Sequence, residues 1–481
     1  MAGRVPFPQR LPGTYWDIRS EIVPMAPASV RGTVIDMMPM TWFNENEVVD
    51  IHNREWRSLV AVTKVGTSAA LAAPKDDIFA RDVQRRLLAL LESGMTEGEP
   101  FGAILGKIFP QNIGGAKASA VQGVITWRAK KNGTTGNKIT VNIIEQDGAY
   151  TITTFFNAQR MYVQRIYELN QLEDVMRDNE LIEAEITNPA GIITLGEVNL
   201  TGGGNGTIPA YNTRLQAFLD AASMKNWHCI SLAIAPGETG YADARTAFRS
   251  WLVQLNRDLQ ENRHGVVFGL RSDTNAGMDN FNIDVVTQDL QWNSDYWIGH
   301  ENAVRLFAGR YAGAANNRTT ASRAIQNVTA VRPEYTIRQR EDCYDRGLQA
   351  VTETWDGRWM LEDDINSFVS WVPEFNLQWR LNQTMRGIHD TMVRWNRIFI
   401  SQHKNRTQRN QRGLEKVLGD VDNLFYVLET EEVMTEHDIS KIEVLYNDTD
   451  PQGVIIRARN ILYVNAIARV DFDMRISWAR N

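Results

Sequence analysis

The chain has 481 residues, 43% hydrophobic and 23% charged, a composition that builds packed cores in roughly two to four domains and excludes a disordered or fibrous protein. Its net charge of -7 argues against a protein that grips nucleic acid through phosphate contacts. No apolar run approaches the ~18 residues of a membrane-crossing helix, and the start, MAGRVPFPQRLPGTYW, lacks the apolar stretch of a secretion signal, so the expectation is a soluble protein made in the cytoplasm. The two cysteines, Cys229 and Cys343, form no framework and suit a reducing compartment.

Residues 1–29 hold Pro6, Pro8, Pro12, Pro24 and Pro27 and read as an extended arm. A first folded segment, 30–105, opens on VRGTVIDMMPMTW, a strand, and contains a helix in IFARDVQRRLLALLESG with Val83, Leu87 and Leu90 at helical spacing and Gly94 as its stop. Residues 106–200 change to short strands, GVITWRAKK, KITVNIIEQ and AYTITTFF, with hairpin turns predicted at Asn132-Gly133 and Asp147-Gly148. Glycine-rich stretches bound this small β-domain, which is expected to stand out as a peripheral module. From 201 to 345, helical patterns such as TRLQAFLDAASM and ADARTAFRSWLVQLNRDLQ (Phe248, Leu252, Leu255 and Leu259 on one face) alternate with the apolar runs WHCISLAIA, HGVVFGL and FNIDVVTQ. ENAVRLFAGRYAGA adds a further helix, and the alternation predicts an α/β layered domain.

The segment 346–464 carries a long helix with an apolar seam at Leu381, Met385, Ile388, Met392, Trp395 and Phe399, weakened by Gly387. Residues 378–412 hold eight Arg or Lys against the single acid Asp390, whereas 415–450 hold eleven acids against Lys416 and Lys441. The closing segment, 465–481, contains VDFDMRISW, in which Val470, Phe472, Met474, Ile476 and Trp478 alternate with polar residues as in a half-buried strand. No returning strand follows it within the sequence, so it needs a partner elsewhere. The fold class predicted is α+β and multidomain: an α/β layered core with a small β-barrel or sandwich insertion, a C-terminal α+β domain and extended arms at both ends.

Motifs for chemistry fall short. GGGNG (202–206) lacks the G-K-[S/T] ending of a phosphate loop, and GGAKAS (114–119) lacks its upstream glycine, so both are expected to be structural loops. His300-Glu301 has no second histidine at zinc-helix spacing and reads as a surface histidine. His228 and Cys229 are adjacent on a strand, where they point to opposite faces, and read as core filling. Asp363-Asp364 precede an apolar segment as helix-capping acids do. No catalytic residue, metal ligand or cofactor is assigned.

The order of segments resembles the tail sheath proteins of contractile bacteriophage tails and related contractile injection machines. The likeness runs through LPGTYWDI, VRGTVIDMMPMTW, WRAKKNGTTGNKITVNI, LTGGGNGT before LQAFLDAA, AVRLFAGRYAGA, WMLEDDINSFVSWVPEFNLQWRLNQTMRGIHDTM and NAIARVDFDMRISW. It implies a non-enzymatic subunit that stacks in hexameric rings around an inner tube, meets baseplate and tail terminator proteins, and contracts to drive the tube through a host envelope for DNA delivery. In that setting the N-terminal arm, with Tyr15, Trp16 and Ile18, and the C-terminal strand, with Val470, Phe472, Met474, Ile476 and Trp478, add strands to neighbouring subunits. The 346–464 segment faces the tube, and Arg394, Arg397, Lys404, Arg406, Arg409 and Arg412 are the candidates to meet acidic groups on it. The sheath of a tailocin or secretion machine is the neighbouring reading. An α/β-hydrolase-like enzyme with a β-domain is the alternative of another class, and it requires a triad that the sequence does not reveal.

Overall fold

The computed structural model describes residues 32–52, 78–91, 95–96, 99–100, 105–258, 263–272, 278–292, 296–297, 299–325, 328–370, 377–404, 406–446, 454–458 and 461–464. The predicted strand residues Val470 to Trp478, the arm residues Tyr15, Trp16 and Ile18, and Leu259 lie outside them. Two compact units are present, Gly32–Ala314 with Thr320–Asn382, and a second containing Ala315–Thr319 and the chain from Gln383. The expected division at 345/346 does not coincide with this boundary.

In chain order the larger unit begins with β1 (Thr33–Met38), β2 (Val49–His52), α1 (Ile78–Leu91) and β3 (Leu105–Pro110). The insertion follows: β4 (Lys117–Gln122), β5 (Ile125–Asn132), β6 (Ile139–Gln146), β7 (Ala149–Phe156), β8 (Gln159–Ile166), α2 (Leu172–Met176), β9 (Ile182–Ile186) and β10 (Gly196–Asn199). The chain then returns through α3 (Tyr211–Ser223), β11 (Cys229–Leu232), α4 (Tyr241–Asp258), β12 (His264–Phe268), β13 (Ile283–Val286), β14 (Asp289–Trp292), α5 (Gly299–Gly313), β15 (Val328–Arg332), α6 (Ile337–Asp345), β16 (Val351–Glu353) and β17 (Trp359–Leu361).

A six-stranded sheet of order β13-β12-β11-β1-β3-β2 organises this unit, parallel except for the edge strand β2. Its central strands are buried on both faces, which is why β11, β12 and β13 read as continuous apolar runs rather than alternations. Along β1 the side chains divide: Val34 and Met38 join a core layer with Leu87, Leu90, Leu306 and Phe307 from α1 and α5. Ile35 and Met37 join the opposite layer with Phe218, Phe248 and Leu252 from α3 and α4. Cys229 and Cys343 sit in different layers, both buried and unbridged, so neither is half of a disulfide.

The insertion's boundaries move from those expected at 106 and 200. β3 belongs to the six-stranded sheet, and the neck of the insertion is the pairing of Ile113, Ala116 and Ser119 with Thr207, Gly204 and Thr201. Beyond the neck lie a three-stranded sheet, β9-β5-β4, and a four-stranded sheet, β8-β7-β6-β10, sharing a core of Trp127, Ile139, Val141, Ile152, Ile182 and Leu200. Asp147-Gly148 makes the expected tight turn, with φ of 54° and 73°. Asn132-Gly133 does not: β5 and β6 lie in different sheets, and Thr134–Lys138 form a single 3-10 turn between them. Glycine is required at 133 by proximity as well as by its φ of 118°, since a Cβ there would stand 2.0 Å from the Thr41 carbonyl oxygen.

At β1 the strand order reverses direction, the position where open α/β sheets form a ligand crevice. Asp36, fully buried on β1, accepts from Arg305 Nε of α5 at 2.7 Å and from the Ser231 hydroxyl of β11 at 2.5 Å. Arg305 also donates to the Met37 carbonyl at 3.1 Å. Burial pushes the Asp36 carboxyl above the usual carboxylate range and Arg305 opposes that push. Removing one partner leaves an uncompensated buried charge. Asp36→Ala should cost about 3–5 kcal/mol in urea denaturation, with part of the loss recovered in the Asp36→Ala/Arg305→Met double variant. A single-variant loss below about 1 kcal/mol would show that the pair does not hold the sheet to α5.

Candidate assembly surfaces

The smaller unit contains most of α7 (Asn382–Ile398), one π turn at Phe399–His403, α8 (Gln411–Thr430) and the hairpin β18 (Ile442–Tyr446) and β19 (Val454–Ala458). Asn410 starts α8 by accepting the Gly413 amide at 2.9 Å, an N-cap that the sequence pattern did not single out. The buried stripe of α8, Val421, Leu424, Phe425 and Leu428, packs with Val433, Met434 and Ile442 and with the half-buried Trp395, Ile398 and Tyr463.

The apolar seam predicted on α7 is only partly inside. Met385 is buried, but Met392 is 41% exposed, and the helix instead buries Arg386, His389, Asp390 and Arg394. Polar burial is possible because partners are supplied. Arg394 pairs with Asp390 at 2.8 Å and makes a two-pronged contact with Glu431 at 3.0 and 2.6 Å, and Arg386 donates to the Arg318 carbonyl at 2.7 Å. Gly387 is a notch rather than a weakness: a Cβ there would lie 2.7 Å from the Tyr463 ring. Tyr463 lies along α7, its hydroxyl bonded to Thr391 at 3.2 Å, while the Val464 amide bonds to the Val433 carbonyl at 3.0 Å. The chain is therefore pinned to this unit up to Val464.

The six basic candidates separate. Arg394 is buried and committed to Asp390 and Glu431, so it cannot face an outside partner as expected. Arg397, Lys404, Arg406, Arg409 and Arg412 are exposed, around the π turn and the link to α8. Arg406 donates to the Ser401 carbonyl, and the Arg409 guanidinium lies over the Tyr446 ring of β18 at 4.8 Å. β18 and β19 pair antiparallel, Ile442 opposite Ala458 and Tyr446 opposite Val454. Among the described residues neither strand has a second neighbour. A two-stranded sheet is marginal alone, and an edge left open is a ready template for a further strand.

The positions considered for chemistry resolve into structure. Asp364 caps no helix: its carboxylate accepts the Thr320 amide at 2.9 Å. His300 is not a free surface histidine, since Nδ1 lies 2.5 Å from Asp289 and the ring packs on Phe268. Cys229 fills the core as expected, and burial pushes the Cys343 thiol up to about 11, away from reactivity. The loop at 202–206 latches the neck: the Asn205 side chain accepts the Thr134 amide at 2.9 Å and its carbonyl accepts from Asn112. Sequence pattern alone does not single out Asp36, Arg305, His437 or Trp355. A lone acid within the apolar VIDMM and an arginine within AVRLFAGRYAGA are the available signals for the first two.

Neither a family model nor a curated protein matches the sequence. Solved structures do. The sheath tail protein from Listeria innocua is 19% identical with a TM-score of 0.70, the match covering 92% of this chain and 96% of that one. The sheath tail protein from Desulfitobacterium hafniense is 19% identical with a TM-score of 0.63, over 94% of this chain and 99% of that one. The chain has the fold of the sheath tail proteins. The helical sheath of the anti-feeding prophage in its contracted state is similar at 10% identity and a TM-score of 0.52, over 97% and 99% of the two chains. Among the described residues no helix is long and apolar enough to cross a membrane.

In this sheath-type unit His437 stands between two carboxylates of α8, Nδ1 at 2.5 Å from Glu429 and Nε2 at 2.8 Å from Asp422, with the Phe425 ring edge-on. A neutral imidazole donates from one nitrogen alone, so both contacts together require the imidazolium. Burial opposes that charge, but Asp422 and Glu429 outweigh it and hold the pKa above the usual histidine value. His403 shifts the other way: burial lowers it, Asp420 at 3.0 Å offsetting only part and Lys416 adding to the fall. His437 thus contributes stability below about pH 6.5 that is lost as pH rises through its raised pKa, and His403 contributes stability lost as pH falls below about 6.5. The melting temperature of the protein should fall from pH 6.5 to pH 9, and His437→Gln should flatten that limb. An unchanged limb in the variant would exclude His437 as its source.

Proposed function

We propose that this chain is the structural subunit of a contractile tail sheath, polymerising in stacked hexameric rings around an inner tube and contracting to drive the tube through a host envelope. The observation that carries the reading is the open-edged hairpin of β18 and β19 beside a C-terminal segment pinned as far as Val464. The segment beyond supplies VDFDMRISW, whose alternation suits strand addition along an edge of a neighbour's hairpin that is open among the described residues. Tyr15, Trp16 and Ile18 of the N-terminal arm are proposed to do the same on another neighbour. A strand joint on a tether lets subunits rotate and slide without parting. The energy of contraction then comes from new side-to-side packing between subunits in the shorter state, with no nucleotide consumed. Its partners are further copies, the tube protein, and baseplate and terminator proteins. The likeness to the anti-feeding prophage sheath also suits the sheath of a tailocin or secretion-type contractile injection system, in which the subunit role is the same.

Negative-stain microscopy of the purified chain should show tubes. Truncation after Ala468 keeps Tyr463 in the Gly387 notch, so it should yield a monomer with an unchanged melting transition that forms no tubes. A destabilised monomer would mean that the terminal strand belongs to its own subunit's core.

The exposed arginines are proposed to face acidic groups of the tube in the extended state. Each such pair contributes roughly 0–1 kcal/mol and is screened by salt, so the effect depends on repetition around the ring. Arg406→Glu with Arg409→Glu should abolish co-assembly with tubes at low salt, while the monomer still melts cooperatively and loses no more than the Ser401 and Tyr446 contacts contribute. Unaltered co-assembly would remove these residues from the tube contact.

A further inference from the structure

Nine of the ten described tryptophans are buried or half-buried, whereas Trp355 is 99% exposed. It sits at the tip of the hairpin formed by β16 and β17, and four residues later Trp359 of the same hairpin is 7% exposed within the core layer of α1 and α5. An indole costs free energy in water roughly in proportion to its apolar area, and a chain that places one wholly outside its own packing gains nothing from it as a monomer.

The turn that carries it is rigid. The Thr354 amide bonds to the Arg358 carbonyl at 2.7 Å, and the Gly357 amide to the Thr354 carbonyl at 3.0 Å. The Thr354 hydroxyl accepts the Arg358 amide at 3.0 Å and shares its one hydrogen between the Arg358 carbonyl and Asp356, which pairs with Arg358 at 2.6 Å. Gly357 takes a φ of 78°, which closes the loop. The backbone beneath the indole is fixed before any partner arrives, so docking orders little more than two side-chain torsions.

We propose that Trp355 is an anchor that seats in an apolar socket on a second copy of this chain. The charge at the tip argues against an anionic occupant: Asp356 pairs with Arg358 and the exposed Glu353 stands beside the turn, so the surroundings of the indole offer no basic patch to an anionic polymer or bilayer. Copies that each carry a net charge of -7 repel at long range and gain from contacts made of neutral, apolar anchors. Centrally buried tryptophans are the residues whose truncation most often weakens an interface. The identity of the occupant as another copy rests on the sheath reading.

Cys229 and Cys343 are buried, so Trp355→Cys introduces an accessible thiol that accepts a benzophenone maleimide selectively. Illuminating assembled tubes of the labelled full-length chain should give covalent pairs of chains, and mass spectrometry should place the far end at one recurrent apolar site. Trp355→Ser should melt like the parent and raise the concentration needed for assembly about tenfold or more, the effect of losing a moderate interface anchor, while Trp355→Phe should restore most of it. Tubes that form at the parent concentration with Trp355→Ser, or labelled tubes without crosslinked pairs, would overturn the proposal. A label that reacts with neutral phosphatidylcholine vesicles and not with a second chain would overturn it in favour of a membrane occupant. If the parent forms no tubes the sheath reading fails by itself. Crosslinked pairs in the concentrated, unassembled protein would then still sustain the Trp355 contact, and their absence would end it.

Discussion

The larger unit depends on one buried contact, the Asp36–Arg305 ion pair at the point where the parallel sheet changes direction. It joins the central strand β1 to the covering helix α5, and through Ser231 it reaches β11, so three elements meet at two charges. Neither charge can be accommodated alone in that environment, and replacing the pair by apolar groups would cost less than breaking it. The pair fixes which helix lies over which strand.

The insertion follows a different logic. Two chain segments enter and leave side by side, paired at Ile113–Thr207, Ala116–Gly204 and Ser119–Thr201, and the module beyond has its own core around Trp127. Close backbone approach at the neck explains Gly206: with φ of 67°, a Cβ there would stand 2.2 Å from the Ile113 carbonyl oxygen. Glycine-rich loops suggest phosphate binding when only their composition is seen. Here the space beside two of those glycines is filled by backbone, the Gly133 carbonyl at Gly203 and the Ile113 carbonyl at Gly206.

Sequence pattern carried much of the fold because buried parallel strands and amphipathic helices obey simple periods. The apolar runs at 229–232, 264–268 and 283–286 became adjacent strands, and the spacing of Phe248, Leu252 and Leu255 became one buried face of α4. Errors arose where one residue type serves two purposes. Asn132-Gly133 carries the signature of a hairpin, but its glycine answers the Thr41 carbonyl, a contact 92 residues away in sequence that no local pattern contains. Asp363-Asp364 look like caps, but Asp364 serves the Thr320 amide. On α7 the apolar seam was readable while the competing polar face was not, because Arg394 is drawn inward by Glu431, 37 positions later. Local patterns report the period of an element, and long-range partners decide which face is buried. The fully exposed Trp355 was invisible for the same reason: an aromatic in sequence is presumed inside.

The reversal of charge between 378–412 and 415–450 has a structural meaning that the counts alone do not show. Several acids of the second stretch are used within the unit: Asp420 on His403, Asp422 and Glu429 on His437, Glu431 on Arg394. These contacts lie close to the unit's core and hold the segment that leads into β18. The bases left outside, from Arg397 to Arg412, surround the π turn, where they sit in high dielectric and any pair they make is weak and screened. A subunit that must first hold a tube and then release it needs that distinction. Contacts to be broken should be exposed, individually small and numerous, whereas contacts that must survive the movement should be backbone ladders or buried pairs. In the proposed sheath the exposed arginines answer the first requirement, and the open edges of β18 and β19 answer the second.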